Sequence, residues 1–413
     1  MFIKQLLYQI LTGFYFFAIK IAALKNPKAK AFIYGRKHLF EKLAAQQNNL
    51  KNCVWFHCAS FGEFEQARPL IELIKSKHPN KKILLTFFSP SGYEVKKEYP
   101  LVDYICYLPI DTPKNAKLFL KLVQPQLVIF VKYEWWYFML KEISNANVPL
   151  YNIASLFNKQ QVFFKFYGGL HRTMLHFCES IFVQNQSSKN LLRQIKINNV
   201  EVAGDTRFDT VIKNLKNKKT LPLIEQFKAG QNLIIGGSTY PTEDDFLIQA
   251  INKNLISNCK YLIVPHDIDK AYCKSLKAKI NVPSLLYSEI ENQNLTDIRV
   301  IVIDGVGLLS NLYQYANVAL IGGGFNKGIH NILEAIVFGV PVLFGPKYKK
   351  AQEAKDLITQ KLATSINYYD EFEVCIKSLL TDEAKYHLIK KQLQLYVEQN
   401  VGATQKIYEY IFS

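Results

Sequence analysis

Short apolar runs, each stopped by a glycine, serine, proline or charged residue, recur along the chain and alternate with stretches of helical periodicity. They occupy 54–58, 83–88, 104–108, 127–131, 150–155, 181–184 and 200–203 in the first half, and 233–235, 261–264, 300–303, 318–321 and 340–344 in the second. Runs without strict alternation suit strands covered on both faces, as in parallel sheets built from βαβ units. The two series predict two doubly wound α/β domains, the first over 45–205 and the second over 210–385. The basic, polar stretch 213–219 reads as a linker. The C-terminal region 386–413 reads as a helix crossing back toward the first domain.

The pattern is most informative from Val318 to Pro346, VALIGGGFNKGIHNILEAIVFGVPVLFGP. It predicts a strand ending at Ile321, a glycine turn, and a helix that starts near Asn331 and ends before Gly339. A second strand follows, with Pro341 near its first position. Gly322, Gly323 and Gly324 permit positive φ and close approach of another group. The free N–H groups of the helix would face an anion, most simply a phosphate. Glu334 is ill placed for a phosphate but suits sugar hydroxyls. The glycines alone read equally as the structural turn of any βαβ unit.

The apolar stretch 6–24, at about 1.5 Å per residue, nearly crosses a hydrocarbon core of about 30 Å. Gln5, Gln9, Thr12, Phe16 and Lys20 form one mostly polar stripe along it. Such a helix spans a membrane, lies in its interface, or packs on its own domain. A cleaved signal is disfavoured by Lys20. The lysines at 25, 28, 30, 37 and 42, with Arg36, place the rest of the chain on the cytoplasmic side or against anionic headgroups. Residues 1–24 are therefore expected to anchor the protein to a membrane.

Length and charge narrow the function. A chain of 413 residues has room for two domains, and a net charge of +17 favours anionic partners. The seven cysteines contain no CxxC pair and read as reduced, mostly buried thiols. No zinc-ligand spacing and no RNA-recognition aromatic motif appears.

Two motifs stand out. Ser60-Phe61-Gly62-Glu63, after the 54–58 run, places an acid at the carboxyl end of a strand and the start of a helix. By position alone it is a favourable dipole partner. His330-Asn331 with Glu334, then Gly339-Val340-Pro341 and Gly345-Pro346, form the second. Together they resemble the Kdo transferases, which move 3-deoxy-D-manno-octulosonic acid (Kdo) from CMP-Kdo to the lipid A precursor. Other segments follow in the family's order. Pro109-Ile110-Asp111 is similar to its Y-x-P-x-D, Glu134 and Trp136 to its E-x-E-x-W, and Gly204 to Asp209 to its G-N-x-K-F-D. Gly237-Ser238-Thr239 with Glu243 is similar to A-x-S-T-x-x-x-E, Pro265-His266 to P-R-H, and Asp304 to Tyr313 to D-x-x-G-E-L-x-x-x-Y. Departures are Lys132 for the first acid of its motif, Arg207 for a lysine, His266 where an arginine is absent, Leu308 for an acid, Lys327 for a frequent arginine and Ile329 for a glycine.

The resemblance implies a GT-B fold: two Rossmann-like domains facing a central cleft, with an N-terminal membrane-associated helix. It implies an inverting, metal-independent Kdo transfer without a cofactor, at the cytoplasmic face of a Gram-negative inner membrane. The implied partners are CMP-Kdo, lipid IVA and anionic membrane lipids, with no nucleic acid. Glu63 is the implied general base, with Glu134 and Arg207 stabilising the reacting centre. Pro265, His266, Ile321, Gly322, Gly323, Asn331, Ile332, Leu333 and Glu334 are the implied CMP-binding residues. The aromatic and basic segment 157–167 (FNKQQVFFKFY) is either lipid-facing or core with solvated lysines. The alternatives are a GT-B transferase of a UDP-sugar at the membrane surface, or a binding protein using the basic charge alone.

Overall fold

The computed structural model describes residues 2–413. The chain divides into two compact units, one running up to Thr210 together with Val401–Ser413, the other Val211–Asn400.

The first unit holds β1 (Val54–Cys58), β2 (Ile83–Phe87), β3 (Tyr104–Tyr107), β4 (Leu127–Val131), β5 (Leu150–Ser155), β6 (Ser180–Val183) and β7 (Val200–Val202). They form one parallel sheet in the order β3-β2-β1-β4-β5-β6-β7. Both faces are covered. Val54, Phe56 and Cys58 pack on one side with Phe64, Leu70 and Ile74, while Trp55 packs on the other with Phe119, Phe130 and Met139. That two-sided burial is why the strands read as continuous apolar runs. The order reverses between β1 and β4, so loops from these neighbours open outward at their carboxyl ends.

The second unit holds β8 (Asn232–Thr239), β9 (Cys259–Pro265), β10 (Ser284–Leu286), β11 (Val300–Val302), β12 (Val318–Ile321), β13 (Val342–Phe344) and β14 (Ala363–Ser365). Its parallel sheet runs β10-β11-β9-β8-β12-β13-β14 and reverses between β8 and β12.

Four helices shape the first unit around its sheet reversal: α1 (Phe2–Ala22), α2 (Phe61–Lys77), α3 (Tyr137–Asn145) and α4 (Arg207–Lys216), the last of which begins in it. The expected linker at 213–219 begins as the last turn of α4. The expected single C-terminal helix is two, α5 (Glu383–Gln399) and α6 (Ala403–Phe412). Between them Gly402 takes φ +99, open to glycine at little cost. The Asp209 carboxylate accepts from the N–H groups of Gly402 (2.6 Å) and Thr404 (2.7 Å), which starts α6 afresh. Helix α6 packs on α2 through Ile407.

Helix α1 corrects the expected stripe. Its inward residues are Gln5, Tyr8, Thr12, Phe16 and Ile19, whereas Gln9 and Lys20 are exposed. The Tyr8 hydroxyl donates to Asp111 Oδ2 at 2.7 Å, and Gln5 Nε2 donates to the Tyr137 hydroxyl at 2.6 Å. Asp111 is buried and also accepts from the backbone N–H groups of Phe138 and Met139 at the start of α3. A buried carboxylate needs such donors, and Tyr8 supplies one. Phe16 is buried against Phe32 and Phe88. The opposite face carries Leu7, Leu11, Phe14 and Phe17, all exposed.

Candidate functional site

In the first unit, both sides of the sheet reversal carry acids. Glu63 lies one turn into α2, just past β1. One of its oxygens, Oε2, accepts from the Ser60 N–H at 3.1 Å and from the Ser60 hydroxyl, which fixes the carboxylate at the helix entrance. Glu134 follows β4. Lys132, at the turn between them, holds φ +59, and its carbonyl accepts from Asn152 Nδ2 (3.1 Å) and Ser155 Oγ (3.0 Å). Those two bonds hold a backbone conformation uncommon for a non-glycine residue and aim the loop back over the sheet. Burial, and then the charges of Glu63 and Glu134, push the Cys58 thiol well up, so both carboxylates bear on one point at the end of β1. Burial and then Glu63 raise the Tyr133 phenol.

Glu134 is held by Trp136 of its own motif and by a residue that the motifs do not flag, His57. Its Oε2 accepts from Trp136 Nε1 at 2.8 Å and lies 2.9 Å from His57 Nε2. His57 is completely buried in β1, and Trp136 stacks on Phe88 with ring centroids 4.6 Å apart. The available signal is a histidine inside an apolar strand, three residues before the S-x-G-E turn.

Arg207 opens α4 and folds onto Asp205. Its Nε and Nη2 donate to Asp205 Oδ2 at 3.0 and 2.7 Å, and its backbone N–H donates to Oδ1 at 3.0 Å. Burial would raise the Asp205 carboxyl, but Arg207 and then Lys132 outweigh it and hold it below the usual range. Gln66 Nε2, one turn after Glu63, donates to both Asp205 oxygens at 3.2 and 3.1 Å. The Thr206 hydroxyl donates to the Gln66 carbonyl at 2.6 Å. The first unit thus ties Glu63, Glu134 and Arg207 into one neighbourhood through Gln66, Asp205 and Lys132. Lys132, where the family pattern has an acid, adds positive charge there.

The 157–167 segment is split. Phe157 and Phe163 are core, while Phe166 and Tyr167 are 95% and 61% exposed.

In the second unit the expected CMP residues gather at the carboxyl ends of β9 and β12. Pro265 ends β9, and His266 donates its backbone N–H to the Thr239 carbonyl at 2.9 Å. Ile321 ends β12 and is buried. Of the three glycines, Gly323 alone has positive φ, +87. A Cβ on Gly322 would lie 1.9 Å from the Ser238 carbonyl oxygen, and one on Gly324 would lie 2.4 Å from the Gly345 nitrogen. The chain's own backbone therefore occupies the approach that the glycines permit at these two positions. The carboxyl group of Glu243 is raised by burial, offset by backbone N–H groups of Tyr240, Phe325 and Gly323 around it. Its Oε2 accepts from the Tyr240 N–H at 3.2 Å.

The expected helix from Asn331 is shorter than its pattern. The regular helix is a single turn, Leu333–Ile336. Ala335, Phe338 and Gly339 bond back to residues three earlier (Ile332, Ala335 and Ile336), so the segment winds tightly and stops where Gly339 reaches φ +73. Asn331 Oδ1 accepts from the Leu333 N–H at 3.2 Å, and Asn331 Nδ2 donates to Glu334 Oε1 at 3.1 Å. Ile332 and Leu333 are buried, and the Asn331–Glu334 pair is half-buried above them.

Three rings close the group. His266 and His330 stack with centroids 4.5 Å apart, and Tyr240 lies 4.9 Å from His266 and 5.8 Å from His330. Burial, and then His266, push the His330 imidazole from 6.5 down to about 4. Between those values the unfolded chain binds the proton that the folded chain refuses. The contribution is complete above about pH 6.5 and lost as pH falls toward about 4. We expect His330→Gln to flatten the fall of the urea midpoint across that window. Equal slopes for variant and wild type would contradict the assignment.

A depression lined by Pro341, Leu362, Cys375 and Ile389 lies at the amino ends of β13 and β14, the opposite end from these loops. Among the described residues no cluster of His, Cys, Asp and Glu is arranged to hold a metal.

Residues 37–210 match the family model described as 3-Deoxy-D-manno-octulosonic-acid transferase (kdotransferase). The chain is 27% identical over 341 residues to a 3-deoxy-D-manno-octulosonic acid transferase of Aquifex aeolicus, covering 80% of this chain and 87% of that one. It is 24% identical over 391 residues to the transferase of the same name from Rickettsia typhi, covering 90% and 82%. Among solved structures, a putative UDP-N-acetylglucosamine 2-epimerase from Listeria monocytogenes aligns with a TM-score of 0.59 at 13% identity, covering 87% of this chain and 96% of that one. At that identity the likeness speaks for the fold, the two-unit GT-B class.

Proposed function

We propose that this chain, whose residues 37–210 carry a Kdo-transferase domain and which is similar to curated Kdo transferases over most of its length, transfers Kdo from CMP-Kdo to a lipid A precursor. The observation that carries the reading is the similarity to Kdo transferases over most of the chain, together with the two acids, Glu63 and Glu134, that follow β1 and β4 on the two sides of the sheet reversal.

Glu63 is the general base. It releases the Ser60 hydroxyl and takes the proton of the acceptor hydroxyl. The freed oxygen attacks the anomeric carbon of Kdo from the face opposite CMP. The new C–O bond forms as the bond to the CMP phosphate breaks, and the configuration inverts. Arg207, oriented by Asp205, and Lys132 stabilise the negative charge carried by donor and leaving group. In the second unit, Glu334 accepts from ribose hydroxyls. The His266–His330–Tyr240 rings and the turn at Gly322 and Gly323 bound the nucleotide, with Pro265, Ile321, Asn331, Ile332 and Leu333 forming its floor. The chemistry uses no metal and no cofactor. A donor panel tests the reading. CMP released from CMP-Kdo only when lipid acceptor is present supports it; release of UDP from a UDP-sugar under the same conditions favours the UDP-sugar alternative.

The protein works at the cytoplasmic face of the inner membrane, anchored by α1. With Gln5 and Tyr8 bonded inward to Tyr137 and Asp111, α1 lies along the surface of its unit, which favours an interfacial anchor over a spanning one. Deleting residues 1–24 would uncover Phe32 and Phe88, so the cleaner test alters only the outward face. We expect the triple variant Leu7→Glu, Leu11→Glu and Phe14→Glu to leave the membrane pellet in high salt while keeping transfer to a detergent-solubilised acceptor. A variant that still pellets would shift the anchor to Phe166 and Tyr167.

A further inference from the structure

We infer that His57 and Glu134 hold one proton between them, so that the pair taken together brings no net negative charge to the site, and that His57 is the positioning residue that keeps Glu134 there. The argument is an accounting of donors and acceptors around one buried ring. His57 has no exposed surface, and its ring packs on Phe130 at 4.8 Å between centroids. Its Nδ1 lies 3.2 Å from the Thr86 carbonyl oxygen and 2.9 Å from Thr86 Oγ1. A carbonyl oxygen only accepts. Thr86 Oγ1 already accepts from Trp55 Nε1 at 2.8 Å and directs its own hydrogen to the Phe56 carbonyl at 3.3 Å. A lone pair on Nδ1 would face the Thr86 carbonyl oxygen, so we assign the hydrogen to Nδ1, with the Thr86 hydroxyl hydrogen turned to the Phe56 carbonyl and not to the ring.

The other nitrogen meets a carboxylate. Nε2 is 2.9 Å from Glu134 Oε2, the oxygen that also accepts from Trp136 Nε1. A bare nitrogen lone pair and a bare carboxylate oxygen repel at that separation, so a hydrogen lies between them. With Nδ1 already protonated, the pair is either imidazolium with carboxylate or imidazole with carboxylic acid. Both forms are neutral overall.

The neutral pair separates two acids that share one neighbourhood. Glu63 also bears on Cys58, and Asp205, bonded to Gln66 one turn further along the same helix, feels the positive charges of Arg207 and Lys132. A free Glu134 carboxylate would repel an incoming anionic donor and compete with Glu63 for the acceptor's proton. With the proton held, Glu63 is the sole acid of the two that is free to act as base. This consequence for turnover rests on the transfer reading above; the proton itself does not.

The test uses full-length protein labelled with 15N-histidine and 13C-glutamate, in detergent and without substrate. The His57 signals are identified as those lost in His57→Gln. We expect either both ring nitrogens protonated, or Nδ1–H with a protonated Glu134 carboxyl. In Glu134→Gln, which keeps the shape, the same ring should become neutral with hydrogen on Nδ1 alone. That variant also identifies the signals if His57→Gln fails to fold. A neutral ring with hydrogen on Nε2 alone, or Nδ1–H beside an ionised Glu134, overturns the proposal. In turnover, His57→Gln and Glu134→Gln should each lower kcat by roughly ten- to a hundredfold with CMP affinity unchanged, and the double variant should be no worse than the poorer single one. Multiplying losses in the double variant would overturn the positioning role and leave the NMR result standing by itself.

Discussion

Glu63→Gln lowers turnover by about a hundredfold or more and leaves CMP affinity unchanged, because the swap removes the base and keeps the shape. The structure makes this substitution a clean one. Glu63 Oε2 is bound to the N–H and hydroxyl of Ser60, and the amide oxygen of glutamine accepts from the same N–H. The entrance of α2 therefore keeps its geometry, and with it the Gln66 contacts that hold Asp205 and Arg207. Loss of rate then reports lost proton transfer rather than a displaced loop. Turnover within a factor of a few of wild type would remove Glu63 from the mechanism.

Glu334→Ala shows the opposite pattern. CMP binding should weaken about ten- to a hundredfold, the value of a lost hydrogen bond to a charged group, roughly 1.5–3 kcal/mol. Acceptor affinity should stay as it was. Glu334 is half-buried, accepts a hydrogen bond from Asn331, and lies just beyond the glycine turn at the end of β12. Isothermal titration with CMP on both variants separates the roles: affinity kept and rate lost for Glu63→Gln, affinity lost for Glu334→Ala. Unchanged CMP affinity in Glu334→Ala would make the turn purely structural, as the packing of Gly322 on Ser238 and Gly324 on Gly345 allows. The nucleotide would then be sought at the His266–His330–Tyr240 rings.

The long central strands are legible in the sequence because burial on both faces leaves an uninterrupted apolar run with a turn residue at its end. All the apolar runs meet strands, whereas Ser284–Leu286 and Ala363–Ser365 carry no such signal. Each is a three-residue edge strand, partly exposed, and too short for a pattern. The helix after the glycine turn is shorter than its pattern because the stretch from Ile332 to Phe338 is mostly apolar, which carries no information about where tight turns replace a regular helix. The stripe on α1 is misplaced by the pattern because tyrosine counts as apolar in a periodicity, while the Tyr8 hydroxyl is what Asp111 requires.

At the site, Glu63, Glu134 and Arg207 are legible only through the family resemblance. Their supports depend on contacts that no local pattern encodes. His57 meets Thr86 because β1 and β2 pair in a register that sets those two residues side by side. Asp205 meets Gln66 across a long stretch of chain.

The most direct test of the central claim is to incubate purified full-length protein with CMP-Kdo and a lipid A precursor and to weigh the products by mass spectrometry. The account predicts an acceptor heavier by one or more Kdo residues and an equal release of CMP, both slowed about a hundredfold or more with Glu63→Gln. An acceptor of unchanged mass with CMP-Kdo, but heavier with a UDP-sugar, would contradict it.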